Sequence, residues 1–184
     1  GIDSPNTANK YWTGSSWTSD LSWISTLVGS GSGDVTWSTS TVGVSWQSGK
    51  EYRIVSRAKD RAGNYDTQWS TFTVIYDTHP PTAVINLPGD GEAYGGPTKQ
   101  LTTISGTAEE YPAGLNSGIE KVEIKLSSGG VTYWTGSSWT QTTDTWLRMN
   151  QTSPPITWST GTVPSWDNGV TYQLTARVYD NAGN

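Results

Sequence analysis

The sequence predicts an all-β chain of tandem β-sandwich modules, both incomplete at the chain ends. Three observations carry that expectation: a composition suited to short strands and turns, an internal repeat at long offset, and apolar/polar alternation of period two. Among 184 residues there are 21 Gly and 9 Pro, with 15% charged and 33% hydrophobic residues. Short strands joined by many turns have this alphabet. One small sandwich takes about 100 residues, so the length accommodates two modules, at least one of them incomplete.

Eleven Trp and nine Tyr stand against one Phe and one Met, so aromatic rings must supply most of the bulky core volume. There is no Cys. Disulfides, thiolate catalysis and Cys-based metal sites are thereby excluded, and each module must bury a sufficient core. A net charge of −5 without a Lys/Arg cluster argues against nucleic acid or anionic lipid as partner. No apolar run is long enough to insert in a membrane as a helix, and the N-terminus lacks a signal-peptide pattern. Any export signal or anchor is expected outside this segment.

The repeat organises the chain. Tyr11-Trp-Thr-Gly-Ser-Ser-Trp-Thr18 recurs letter for letter at Tyr133 to Thr140, an offset of 133 minus 11, or 122. Downstream, Thr36-Trp-Ser-Thr39 answers Thr157 to Thr160, Ser45-Trp46 answers Ser165-Trp166, Tyr52 answers Tyr172, and Asp60-Arg-Ala-Gly-Asn64 answers Asp180-Asn-Ala-Gly-Asn184. Carried upstream at 122, Ile2 falls on Ile124 within the alternating run Ile119, Val122, Ile124, Leu126. The expectation is a module over 1–77 that lacks its first strands and begins inside one, and a module over 78–184 that lacks its last strand. Both ends read as cuts through a longer polypeptide.

The alternation places strands near 82–87, 101–108, 119–127, 131–139, 144–149, 156–162 and 170–179, with a first-copy strand at 68–76 carrying Trp69, Phe72, Val74 and Tyr76. Ser128-Gly129-Gly130 reads as a hairpin turn. Asp180 to Asn184 reads as a turn in which Asp bonds following amides and Gly takes a left-handed position. Tyr172, Leu174, Ala176 and Val178 alternate with polar residues, and Tyr52, Ile54, Ser56 and Ala58 repeat the pattern. A Tyr opening this strand after a Gly-containing turn stands where the tyrosine corner of immunoglobulin-like domains stands.

With these motifs in order (Asp77-Thr-His-Pro-Pro-Thr82, Ser105-Gly-Thr-Ala108, Ser117-Gly-Ile119, the Tyr-Trp block and Asp-x-Ala-Gly-Asn), nearly the whole chain resembles the bacterial immunoglobulin-like tandem repeats of large surface and secreted proteins. The resemblance implies an extracellular or cell-surface stalk, adhesin, matrix or filament component, sometimes with calcium at module junctions, and no catalytic site.

The residues agree on chemistry. His79 is the one histidine and has no nucleophile-base arrangement to join, and Glu109 and Glu110, adjacent on a strand, point to opposite faces. An enzyme is not expected. A sandwich of this topology gathers Asp77 of the incoming linker, Glu109 and Glu110 after the second strand, and Asp180 at one pole, a set of oxygen ligands suited to calcium. The competing reading is that Asp180 and Asp60 form their own turns and the glutamates are solvated. The repeated block offers Tyr11, Trp12, Tyr133 and Trp134 for stacking on glycans; in each pair one ring is expected in the core and one outside, and packing is the competing reading for all of them. Asn150-Gln-Thr152 fits a glycosylation pattern of little weight, and intramolecular Lys-Asn bonds would need a buried acid beside a lysine, which the sequence alone does not place.

The expected function is a non-catalytic structural repeat, stiffened by Pro80-Pro81. Its partners would be neighbouring modules of the same polypeptide or identical chains in a filament, which would also cover the open sheet edges. The alternatives are a carbohydrate-binding or adhesive module and an accessory domain of a polysaccharide-degrading enzyme.

Overall fold

The computed structural model describes residues 2–4, 10–29, 34–140, 144–152 and 155–184. Every regular element in it is a β-strand. The chain divides into two compact units, Gly1–Asp77 with Gly114–Asn116, and Thr78–Ala113 with Ser117–Asn184.

The first unit holds β1 (Ile2–Ser4), β2 (Lys10–Trp12), β3 (Trp17–Thr18), β4 (Leu27–Val28), β5 (Trp37–Ser38), β6 (Lys50–Ser56) and β7 (Ser70–Tyr76). Five of them form an antiparallel sheet in the order β3-β2-β1-β6-β7, and β4 pairs with β5. Among its described residues Trp12, Val44 and Tyr52 form a buried cluster, with Trp17, Ile24 and Trp46 packed around them.

The second unit holds β8 (Thr82–Leu87), β9 (Ser105–Glu109), β10 (Ile119–Ser128), β11 (Thr132–Trp134), β12 (Trp139–Thr140), β13 (Leu147–Arg148), β14 (Asn150–Gln151), β15 (Ile156–Ser159) and β16 (Tyr172–Asp180). One sheet runs β14-β15-β9-β8; the other runs β12-β11-β10-β13 with β16 along β10. Alternation settles their inner faces: Ala108 and Trp158 of the first sheet join Val122, Ile124, Leu126 and Trp134 of the second in one core, completed by Ile104 and Met149. Trp158 stands directly opposite Gly106 in the β9/β15 ladder and donates its indole N–H to the Thr107 carbonyl at 3.0 Å.

Within each unit the repeated residues adopt nearly the same ring geometry. Trp12–Trp17 and Trp134–Trp139 meet at 5.4 and 5.6 Å with interplanar angles of 59° and 58°. Trp46–Tyr52 and Trp166–Tyr172 meet edge to face at 4.6 and 4.8 Å. The Tyr52 hydroxyl accepts from the Gln47 N–H at 2.8 Å, and the Tyr172 hydroxyl from the Asp167 N–H at 2.9 Å. In this way each Tyr ties the turn before its strand to the strand itself.

Three expectations are corrected. The strand expected over 131–139 is a hairpin, β11 and β12, because Thr135 closes a turn on Ser138 by a 2.9 Å backbone bond across Gly136 at φ 94°; Thr13 and Ser16 do the same across Gly14 at φ 103°. The strand expected from 101 starts at Ser105, since the Leu101 carbonyl is taken by the Trp166 indole at 2.8 Å. Ile2 is equivalent to Leu126 and not Ile124: Ile2 pairs with Ile54 as Leu126 pairs with Leu174. The connection 5–9 between β1 and β2 is longer than 129–131 between β10 and β11, so the offset upstream of the block is 126 minus 2, or 124.

Candidate functional site

Asp77, Glu110 and Asp180 each place a carboxylate oxygen within 4.8 Å of the others. Asp77 immediately precedes Thr78, the first residue of the second unit. Glu110 directly follows β9, and Asp180 ends β16. Asp77 and Asp180 are 7% and 1% exposed and Glu110 is half-buried. Glu109 does not join them. It ends β9 with an exposed side chain, opposite Thr82, because period-two alternation turns it away from its neighbour.

Asp180 is held by its own turn. Its Oδ1 accepts the N–H groups of Ala182 and Asn184 at 3.0 and 2.8 Å, and its Oδ2 accepts the Asn184 amide at 2.9 Å. Asn181 anchors the turn by donating its side-chain amide to the Ser117 and Gly118 carbonyls, each at 2.9 Å. A carboxylate has about four lone-pair sites, so Asp180 keeps one on Oδ2 for a further contact. Asp60, the repeat equivalent, accepts the Asn64 N–H and amide at 2.8 and 2.9 Å. The side-chain bond from Asn64, with the backbone bond beside it, holds the exposed Asp60 carboxyl below its usual value. Turn formation and metal ligation are therefore compatible at Asp180. Three carboxylates this close repel one another, and a divalent cation with hard oxygen preference relieves that repulsion.

The aromatic block divides as its alternation demands. Trp12 and Trp134 are 3% and 9% exposed, which corrects their candidacy for glycan stacking, because packing covers both rings. Tyr11 and Tyr133 are half-buried on the opposite face of their sheets. Tyr11 lines a depression of about 200 Å³ with Leu21, Trp23, Arg53, Val55, Trp69 and Thr71. There Trp69 is 53% exposed and meets Trp23 edge to face at 5.3 Å. The Arg57 guanidinium lies 3.8 Å from the Trp23 ring centre and 4.3 Å from that of Tyr65.

In the second unit the corresponding surface is a ladder of cations and rings. Arg177 covers Trp146 at 3.8 Å, and Lys125 lies 5.2 Å from the same ring and 6.0 Å from Tyr133. Lys125 pairs with Asp144 at 3.0 Å and Arg177 with Glu123 at 2.8 Å. The bond from Lys125 is the main reason that the Asp144 carboxyl sits below its usual value, with Tyr133 adding a second bond. Trp23 and Trp69 were not singled out by sequence reasoning. Trp69 was visible as a member of the alternating 68–76 run, whereas nothing local marked Trp23, whose ring partners lie more than thirty residues away.

His79 meets Tyr111 edge to face at 5.4 Å. No helix among the described residues is long and apolar enough to cross a membrane, which does not bear on spanning by strands. No family model, curated protein or solved structure matches the chain.

Proposed function

We propose that the chain is a pair of immunoglobulin-like β-sandwich modules from an extracellular repeat array, serving as a non-catalytic structural element of a stalk, adhesin or filament. The observation that carries this reading is the duplicated packing unit: two tryptophans of one hairpin, a third tryptophan and a corner tyrosine recur with ring separations agreeing within a few tenths of an ångström. An element used twice serves length and stiffness, and Pro80-Pro81 restrict the backbone at the start of the second unit. Partners would be neighbouring modules or identical chains. Single-molecule extension tests the reading. Two separate force peaks per chain are expected; extension of either unit without a resolvable peak would remove the mechanical role.

Calcium at Asp77, Glu110 and Asp180 belongs to the same proposal, supported by the close approach of three carboxylates. Ligand linkage predicts a gain of about 2.7 kcal/mol for the second unit at a calcium concentration a hundredfold above Kd. Glu110→Gln should abolish the gain. An unfolding midpoint that is the same in millimolar calcium and in chelator would exclude the site.

A second reading, a carbohydrate-binding face, is favoured by the depression under Tyr11 and Trp69, where an exposed indole and Arg53 flank a shallow hollow. Pyranose rings stack on such indoles. Glycan-array binding that disappears in Trp69→Ala, with the circular dichroism spectrum unchanged, would establish it; an array without signal would dismiss it.

A further inference from the structure

Asn168-Gly169 is the one place in the chain where asparagine is followed by glycine. The pair lies in the turn that leads into β16, and Asp167, Asn168 and Gly169 are all exposed. An asparagine side-chain carbonyl carbon can be attacked by the main-chain nitrogen of the next residue, which closes a five-membered ring. That nitrogen is a weak nucleophile, and a side chain on the residue that bears it obstructs its approach. Gly169 has no side chain, and its φ of 76° shows that the turn already uses backbone angles closed to most residues.

The surroundings of Asn168 differ from those of other asparagines. Asn64 and Asn184 donate their amides to Asp60 and Asp180, each at 2.9 Å, and Asn181 donates its amide to the Ser117 and Gly118 carbonyls. Asn86 and Asn150 lie in β8 and β14, where ladder pairing fixes the backbone. The Asn168 side chain makes no hydrogen bond among the described residues. The first unit supplies a comparison inside the same chain. Its equivalent turn is Ser48-Gly49, at an offset of 168 minus 48, or 120, with a φ of 73° at Gly49 and the same tyrosine bond from Tyr52 to the preceding residue. Serine therefore builds this turn as well as asparagine does, but it has no amide carbon to attack.

We propose that Asn168 is a self-modification site, at which the folded chain converts its own amide to a carboxylate. The Gly169 nitrogen attacks Asn168 Cγ. The new N–Cγ bond replaces Cγ–Nδ2, and Nδ2 leaves as ammonia with the proton that Gly169 gives up. Water, the only co-reactant, then opens the ring. Cleavage of N–Cγ gives aspartate; cleavage of the original peptide bond gives isoaspartate, in which the main chain passes through Cγ and is one carbon longer. Either product adds one negative charge to the turn. In isoaspartate the extra carbon also falls between Asp167 and Tyr172, which are joined by the 2.9 Å bond from the Asp167 N–H to the Tyr172 hydroxyl. Trp166, next to Asp167, packs edge to face on Tyr172 and donates its indole N–H to the Leu101 carbonyl. The longer turn loosens these contacts, so modification lowers the stability of the second unit and leaves the first unit's serine turn unchanged.

Ageing the full chain in mildly alkaline buffer, with peptide mapping by mass spectrometry, tests this. The fragment that carries Asn168 should gain about 1 Da before any other asparagine-bearing fragment changes, with isoaspartate present in the product. Asn168→Ser, which installs the residue of the first unit's turn, should remove the gain and keep the fold. Asn168→Asp has the added charge without the added carbon, so the urea midpoint of the second unit should be lower in the aged chain than in this variant. Equal midpoints would overturn the loosening of the turn. A parallel sample held in urea separates the motif from the folded site: a gain confined to the unfolded chain would overturn the proposal, because the native turn would then keep Asn168 from closing the ring. No gain in either sample, or an equal gain at Asn64 or Asn181, would overturn it too.

Discussion

Trp12→Ala is expected to unfold the first unit at room temperature, while the equivalent Trp134→Ala lowers the stability of the second unit and leaves it folded. The block around the two tryptophans is identical in sequence and its ring contacts are nearly identical in geometry. The surroundings differ. Trp12 is one of three buried hydrophobic residues in its cluster, with Val44 and Tyr52, whereas Trp134 shares its cluster with seven other buried residues drawn from two sheets. Truncating a buried aromatic costs about 3–5 kcal/mol, and whole domains have about 5–15 kcal/mol of stability. With three buried side chains in the cluster among its described residues, the first unit is expected at the low end of that range, where one such loss removes the folded state. Urea unfolding followed by far-ultraviolet circular dichroism checks this: Trp12→Ala should abolish one transition and keep the other, and Trp134→Ala should keep both with one midpoint lowered. Equal loss in the two units would show that local ring packing, and not cluster size, sets stability.

The same contrast explains what was legible in the sequence. Period-two alternation identified β7, β8, β10 and β16, where one face is apolar over six or more residues. It misjudged 131–139 because Thr135, Gly136 and Ser138 form a turn whose geometry depends on a left-handed glycine inside an otherwise alternating run. Alternation also said that Tyr133 and Trp134 face opposite ways, yet which ring enters the core was decided by the facing sheet. Trp37 makes the point from the other direction. It is the repeat equivalent of Trp158, but is 50% exposed where Trp158 is 2% exposed, since Trp158 lies over β9 and the described residues of the first unit contain no strand in that position. At the acidic pole, Glu110 and Glu109 were indistinguishable until the end of β9 fixed which of them faces Asp180. The register of β1 depended on a difference in connection length that residue matching across an offset does not see.

Gly106→Ala is expected to be among the most damaging single substitutions in the second unit, although it adds one methyl group in a strand and involves no unusual φ. A Cβ built on Gly106 falls on the Val84 carbonyl oxygen and on the indole of Trp158. Neither can yield at low cost. The Val84 carbonyl belongs to β8, whose ladder with β9 runs through Val84↔Thr107 and Ile85↔Gly106. Trp158 is 2% exposed, is surrounded by core side chains and is fixed by its indole bond to Thr107. Inserting one methylene into a packed core costs about 1–3 kcal/mol when side chains can adjust, and here the obstacles are backbone and a pinned indole, so about 3 kcal/mol or more is expected. The cause is separable from strand propensity, because Ala is no worse than Gly in a strand. Combining Gly106→Ala with Trp158→Phe, which withdraws ring volume from the contested space, should cost less than the sum of the single changes. Chemical denaturation of the four species measures that coupling. Strictly additive losses would mean that the indole is not what excludes a side chain at 106, leaving the Val84 carbonyl as the sole obstacle.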